Sequence, residues 1–282
     1  MDSSPRRTPR SREGAAALVP VPGNARRRAF AALAMLAFAA GRPAAAAAIS
    51  ADEVMLRSLE ARNLGDQIYR AYRVELIARD GGAVTRTVSM YRKHCDGASK
   101  QLVVFREPSD IAGTAFLSWI HPHRMPDMWL YLPELGRPRQ VNAATRGESF
   151  LGSDFTYEDL GAPTWDARTH LLVDAPLVDG EPTYRIESRP RAVEHYARIL
   201  TWVRQTSFLP TRVEYFDARD ALEKVGRYPG VRIVDGIPTL SALEMANVRT
   251  GHRTTVTLLD AEYDRPVDCA IFSQRRLTRA RP

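Results

Sequence analysis

Between residues 71 and 263 the chain is cut into short extended runs, and that rhythm limits the fold more than any other feature. Candidate strands occupy 71–79, 84–92, 101–106, 114–121, 128–132, 137–142, 154–160, 169–174, 182–189, 197–204, 210–216, 221–228, 239–248 and 254–263. Asp80-Gly81-Gly82, Asp96-Gly97, Asp179-Gly180 and Asp235-Gly236 supply hairpin turns between them. One helix precedes the strands: Ser50 or Asp52 can cap it, Val54, Leu56, Leu59 and Leu64 give an imperfect apolar stripe, and Gly65 stops it. More than ten short strands with so little helix predict a mainly β (α+β) chain built on one large antiparallel sheet, curled or closed. No internal repeat and no linker rich in Gly, Ser or Pro divides residues 49–282, so one domain is expected there.

Several strands are apolar on both faces. Ala115, Leu117 and Trp119 alternate with Phe116 and Ile120; Met128, Leu130 and Leu132 with Trp129 and Tyr131; Ile199, Thr201 and Val203 with Leu200 and Trp202. Such strands must be covered twice. One face can pack on a helix, and the other needs a second layer or an enclosed cavity. Patterning leaves a packed core and a lipocalin-like ligand cavity both open.

Residues 1–48 read as a secretory signal rather than as structure. Arg26-Arg27-Arg28 precede the apolar run from Ala29 to Ala40, and the small-residue tract Ala44 to Ala48 offers the cleavage site. Arg27-Arg28-Ala29-Phe30 also fits a twin-arginine core, so both export routes stay open. This segment holds eight of the 40 basic residues and two of the 33 acidic ones. The remainder therefore carries 32 against 31, a net charge of +1. The basicity of the whole chain therefore gives no footprint for nucleic acid, which is excluded as a partner. No later apolar run approaches the ~20 residues of a membrane helix. Cys95 and Cys269 would enter an oxidising compartment, where a disulfide and two separate buried thiols are both compatible with the sequence.

Three segments are distinctive: Pro108-Ser-Asp110-Ile-Ala-Gly113-Thr-Ala-Phe116-Leu117; Trp129-Leu-Tyr131-Leu-Pro133 with Arg137 and Arg139; and Ser149-Phe150-Leu-Gly152-Ser153-Asp154-Phe155-Thr-Tyr157-Glu158-Asp159-Leu160. On these residues, and on Phe272-Ser273 with Leu277 near the end, the chain resembles the bacterial outer-membrane lipoprotein-sorting protein family, in the superfamily of the LolA and LolB lipoprotein carriers. The resemblance spans nearly all of residues 50–278. It implies an unclosed antiparallel β-barrel with a helical lid and an apolar interior that receives acyl chains. It further implies a periplasmic carrier of a lipoprotein or lipid bound for the outer membrane. The family's association with inner-membrane exporters of the resistance-nodulation-division (RND) type suggests an alternative role as adaptor of a lipid exporter. An outer-membrane acceptor would be the other partner.

Phe116, Trp119, Trp129, Tyr131, Phe155, Tyr157 and Trp202 are the candidate cavity-lining residues, with core packing as the competing role. Treated as a strand, 154–160 puts Phe155, Tyr157 and Asp159 on one face and Asp154, Thr156 and Glu158 on the other. Within the motif Gly152, Ser153, Asp154, Phe155, Tyr157, Glu158 and Asp159, the carboxylates Asp154, Glu158 and Asp159 raise an envelope-lipid hydrolase as the rival class. No cleft for a substrate between two carboxyls is evident in the sequence. Asp154 after Gly152-Ser153 reads as a turn residue accepting backbone N–H bonds. His121-Pro122-His123 lacks a third ligand, so neither a metal nor a cofactor is expected. Arg137, Arg139 and Arg146 could meet lipid head groups or form a solvated face.

Overall fold

The computed structural model describes residues 49–122, 124–161, 165–192 and 194–279. The signal segment and His123 of the His-Pro-His pattern lie outside them. The helix α1 runs over Ala51–Arg62, and the Ser50 hydroxyl caps it by accepting from the Glu53 amide at 3.1 Å. Leu64 falls beyond its end and is exposed. The strands follow as β1 (Gln67–Ile77), β2 (Ala83–Cys95), β3 (Ala98–Glu107), β4 (Ala115–Ile120), β5 (Asp127–Tyr131) and β6 (Pro138–Gln140). After a connecting segment come β7 (Arg168–Asp174), β8 (Leu177–Val178), β9 (Glu181–Pro190), β10 (Arg198–Arg204) and β11 (Pro210–Phe216). The last three are β12 (Leu222–Val234), β13 (Ile237–Asn247) and β14 (Arg253–Tyr263).

All the strands belong to one antiparallel sheet in the order β6-β5-β4-β3-β2-β1-β14-β13-β12-β11-β10-β9-β7, with β8 paired to β9. The path has two ends, so the sheet curls without closing. Its hairpins obey the turn chemistry: Asp96-Gly97, Asp179-Gly180 and Asp235-Gly236 all take positive φ at both residues, as two-residue hairpin turns demand.

One expected strand is absent. Residues 154–160 form a turn and a short helix, α2 (Tyr157–Gly161), started by reciprocal capping. The Thr156 amide donates to the Asp159 carboxylate at 2.7 Å, and the Asp159 amide donates to the Thr156 hydroxyl at 3.2 Å. Two local bonds and an adjoining loop outweigh the period-2 pattern, so the proposed division of this segment into two faces does not hold.

The two faces of β2–β5 bury different cores. On the outer face Leu102, Val104, Leu117, Trp129 and Cys95 pack with Val267, Phe272 and Leu277 of the C-terminal segment. The Cys95–Cys269 disulfide ties that segment down across 174 residues, and the indole N–H of Trp119 donates to the Phe272 carbonyl at 2.9 Å. On the inner face Val88, Val103, Phe105, Phe116 and Met128 pack under Val141 and Phe150 of the segment that follows β6. The helix α1 lies over the same concave side, with Val54 buried against Ile186 and Val203 of β9 and β10.

Candidate functional site

Between α1 and the concave face the side chains leave a cavity of about 420 Å³. Its wall collects Tyr72 and Val74 from β1, Val88 and Met90 from β2, and Val103 and Phe105 from β3. Ile199 and Thr201 of β10, Leu243 of β13 and Val256 of β14 come from the far side of the sheet, and Met55 and Leu59 of α1 form the roof. Strand register dictates this gathering: Met90 pairs with Val103, Val88 with Phe105, and Val74 with Val256, so the same phase of each strand points inward.

The same alternation sorts the expected lining residues. Phe155 lines the cavity, with Phe150 and Leu160 beside it. Phe116 and Tyr157 stand one layer behind: their ring centroids lie 5.3 Å from that of Phe150, an edge-on packing. Trp119, Trp129 and Tyr131 lie on the outer face, packed against the C-terminal segment. Trp202 also points outward, covered by the guanidiniums of Arg185 and Arg212, while its neighbours Thr201 and Val203 face in. Four of the seven therefore occupy the wrong phase for a cavity, because a period of two places consecutive large residues on opposite faces. The sequence reading missed the aliphatic wall, whose signal was the partner phase of the same strands.

The motif Gly152 to Asp159 closes one end of the cavity through a buried polar network. The Asp154 carboxylate accepts from the Thr254 hydroxyl at 2.7 Å and meets His252 Nδ1 at 2.7 Å, both groups belonging to the β14 hairpin. It is thus a buried tertiary tether rather than a local turn residue. Asp159 pairs with Lys224 of β12 at 2.5 Å, and the same ammonium donates to the Asp154 carbonyl at 3.0 Å. Glu158 and Glu194 share Arg168 at 3.1 and 2.5 Å. Burial, then repulsion from Glu194, pushes the Glu158 carboxyl above its ordinary range despite Arg168. Ser153 completes the turn by donating its hydroxyl to the Phe150 carbonyl at 2.7 Å. Arg137 and Arg139 are exposed, and Arg146 donates to the Pro126 carbonyl at 2.9 Å.

Each motif carboxylate is held by a cation, a hydroxyl or a ring nitrogen, an arrangement suited to anchoring a loop. Among the described residues no cluster of His, Cys, Asp or Glu is placed to hold a metal. No described helix is long and apolar enough to cross a membrane.

A family model described only as "uncharacterized protein" matches residues 97–279, nearly two thirds of the chain. No curated protein matches this sequence. Among solved structures, a DUF1329 family protein from Desulfovibrio piger is 27% identical with a TM-score of 0.76, covering 80% of this chain and 97% of its own. A domain described as an outer-membrane lipoprotein-sorting protein, from Vibrio parahaemolyticus, is 23% identical with a TM-score of 0.76, covering 81% and 98%. A LolA superfamily protein from Nitrosomonas europaea is 20% identical with a TM-score of 0.66, covering 80% and 98%. The family match covers well over half of the chain, so the chain belongs to that family, the DUF1329 family, and its unclosed sheet is the fold it shares with the lipoprotein-sorting and LolA superfamily structures.

Proposed function

We propose that the protein is a periplasmic carrier that takes the acyl chain of a lipid or lipoprotein into the cavity between α1 and the sheet, for transfer towards the outer membrane. The observation that carries this reading is the cavity itself: about 420 Å³ left unfilled, with an aliphatic and aromatic wall drawn from strands on both sides of the sheet. Its size falls within the range of ligand sites. Burying an acyl chain recovers about 0.8 kcal/mol per methylene, so a modest length of chain offsets the cost of association. The disulfide fits an oxidising compartment, and the exported N-terminal pattern supports the same location. A carrier would receive its cargo from an inner-membrane complex, an RND-type exporter being the candidate, and deliver it to an outer-membrane acceptor. The engagement of Asp154, Glu158 and Asp159 in buried contacts favours a carrier over a hydrolase.

Native mass spectrometry with organic extraction tests this reading on protein purified from a periplasm without detergent. A co-purifying amphiphile, with uptake of a fluorescent fatty acid after its removal, is the expected result. Protein that is empty and takes up no fatty acid would overturn it.

A further inference from the structure

The cavity wall is not uniformly apolar. Arg62 in the last turn of α1, Arg70 on β1 and Arg92 on β2 bring three guanidiniums to one end of it. Register explains the grouping: Arg92 pairs with Ile68 and Met90 with Arg70, so both arginines share the inward phase of adjacent strands. Their partners are all neutral. Arg62 Nε donates to the Ser58 carbonyl at 3.1 Å. Arg70 Nη2 donates to the Arg62 carbonyl at 3.3 Å and to the Tyr263 hydroxyl at 3.0 Å. Arg92 donates to Ser99 Oγ at 2.9 Å and to Asn63 Oδ1. Among the described residues none of the three meets a carboxylate within ion-pair distance, and the buried Nε of Arg70 has no hydrogen-bond partner.

Two other buried cations beside the cavity have carboxylate partners. Arg168 has Glu158 and Glu194, and Lys224 has Asp159. Arg86, at the opposite end of the wall, gives Nη1 to the Leu151 carbonyl at 2.7 Å and stacks over Phe105. Among the described residues of the wall, only at the α1 end do like charges converge without a counter-ion. Burial, reinforced by repulsion from Arg62 and Arg70, pushes the Arg92 guanidinium down to about 10. Such a cluster is costly in the empty protein and becomes favourable when an anion enters. Guanidiniums bind carboxylate and phosphate oxygens through paired N–H bonds.

We propose that Arg62, Arg70 and Arg92 form an oxyanion site for the head of an amphiphile, a carboxylate or a phosphate. The chain would run from there along the aliphatic wall, past the Met90–Val103 pair to the Val88–Phe105 pair. The inference rests on the carrier reading for the tail and adds the chemistry of the head.

Calorimetric titration of the delipidated protein with decanoate, decyl phosphate, decanol and inorganic phosphate separates the two. The expected result is that decanoate and decyl phosphate bind at least about tenfold more tightly than decanol, with inorganic phosphate far weaker than decyl phosphate. Arg92→Gln brings both anionic amphiphiles down to the affinity of decanol without lowering the melting temperature, because it relieves repulsion. Arg92→Lys retains part of the difference. Should Arg92→Gln fail to fold, Arg70→Gln carries the same expectation. Equal affinity for the three amphiphiles would overturn the oxyanion site and leave the carrier reading standing. Binding of none of them would overturn both. Inorganic phosphate binding as tightly as decyl phosphate, with decanol silent, would mark a site for free anions and overturn the amphiphile assignment.

Discussion

The two faces of β2–β5 are made by the same strands yet solve burial in opposite ways. Outside, Trp119, Trp129 and Tyr131 fit against Val267, Phe272 and Leu277, and the Cys95–Cys269 bond locks the cover in place. Inside, the covering segment packs on Phe116 and Met128 and on part of Val88, Val103 and Phe105, and these last three with the neighbouring wall still face a cavity. The tryptophans of these strands go to the sealed face, and aliphatic side chains with Phe105 line the space. The outer layer is covered and tied by a disulfide, while the inner layer keeps its cavity.

That contrast can be broken from either side. Trp129→Ala should cost about 3–5 kcal/mol in denaturant unfolding while the folded fraction binds fatty acid normally. Lys224→Met, which leaves Asp159 buried without its cation, should also cost about 3–5 kcal/mol; loosening the motif loop, it should weaken acyl binding as well. Replacing Cys95 and Cys269 together by Ser should lower stability by about 2–5 kcal/mol, again sparing the cavity. On the inner side, Leu243→Phe should change stability by less than about 1.5 kcal/mol yet reduce fatty-acid binding at least about tenfold, since the new ring occupies the ligand's space. The smallest effect concerns Glu158. Its folded-state carboxyl sits above the ordinary value of 4.5, so ionising it costs stability as the pH rises from there. Glu158→Gln should therefore match the parent below that pH and gain on it towards neutrality, which urea midpoints measured across pH will show.

Most of the sheet was legible because period-2 alternation and Asp-Gly turns are local signals, and thirteen of the fourteen expected strands exist. Residues 154–160 were misread because Phe155, Tyr157 and Asp159 mimic a strand face. Thr156 and Asp159, spaced three apart, were the competing helix-start signal. The site was less legible than the fold. Alternation tells which residues share a face but not which face is concave, so Trp119, Trp129, Tyr131 and Trp202 were grouped with Phe155 although they turn away from it. Arg70 and Arg92 carried a usable sign, charge in the phase of Ile68, Tyr72 and Met90, whose meaning depends on α1 bringing Arg62 over them.

On the carrier reading the inner face of the sheet, and not the aromatic outer face, holds the acyl chain. Photo-crosslinking with a diazirine-bearing fatty acid, followed by peptide mapping, tests it directly. Adducts on Met90, Val103, Leu243 or Met55 are the predicted result; adducts concentrated on Trp129, Tyr131 or Trp202 would contradict it.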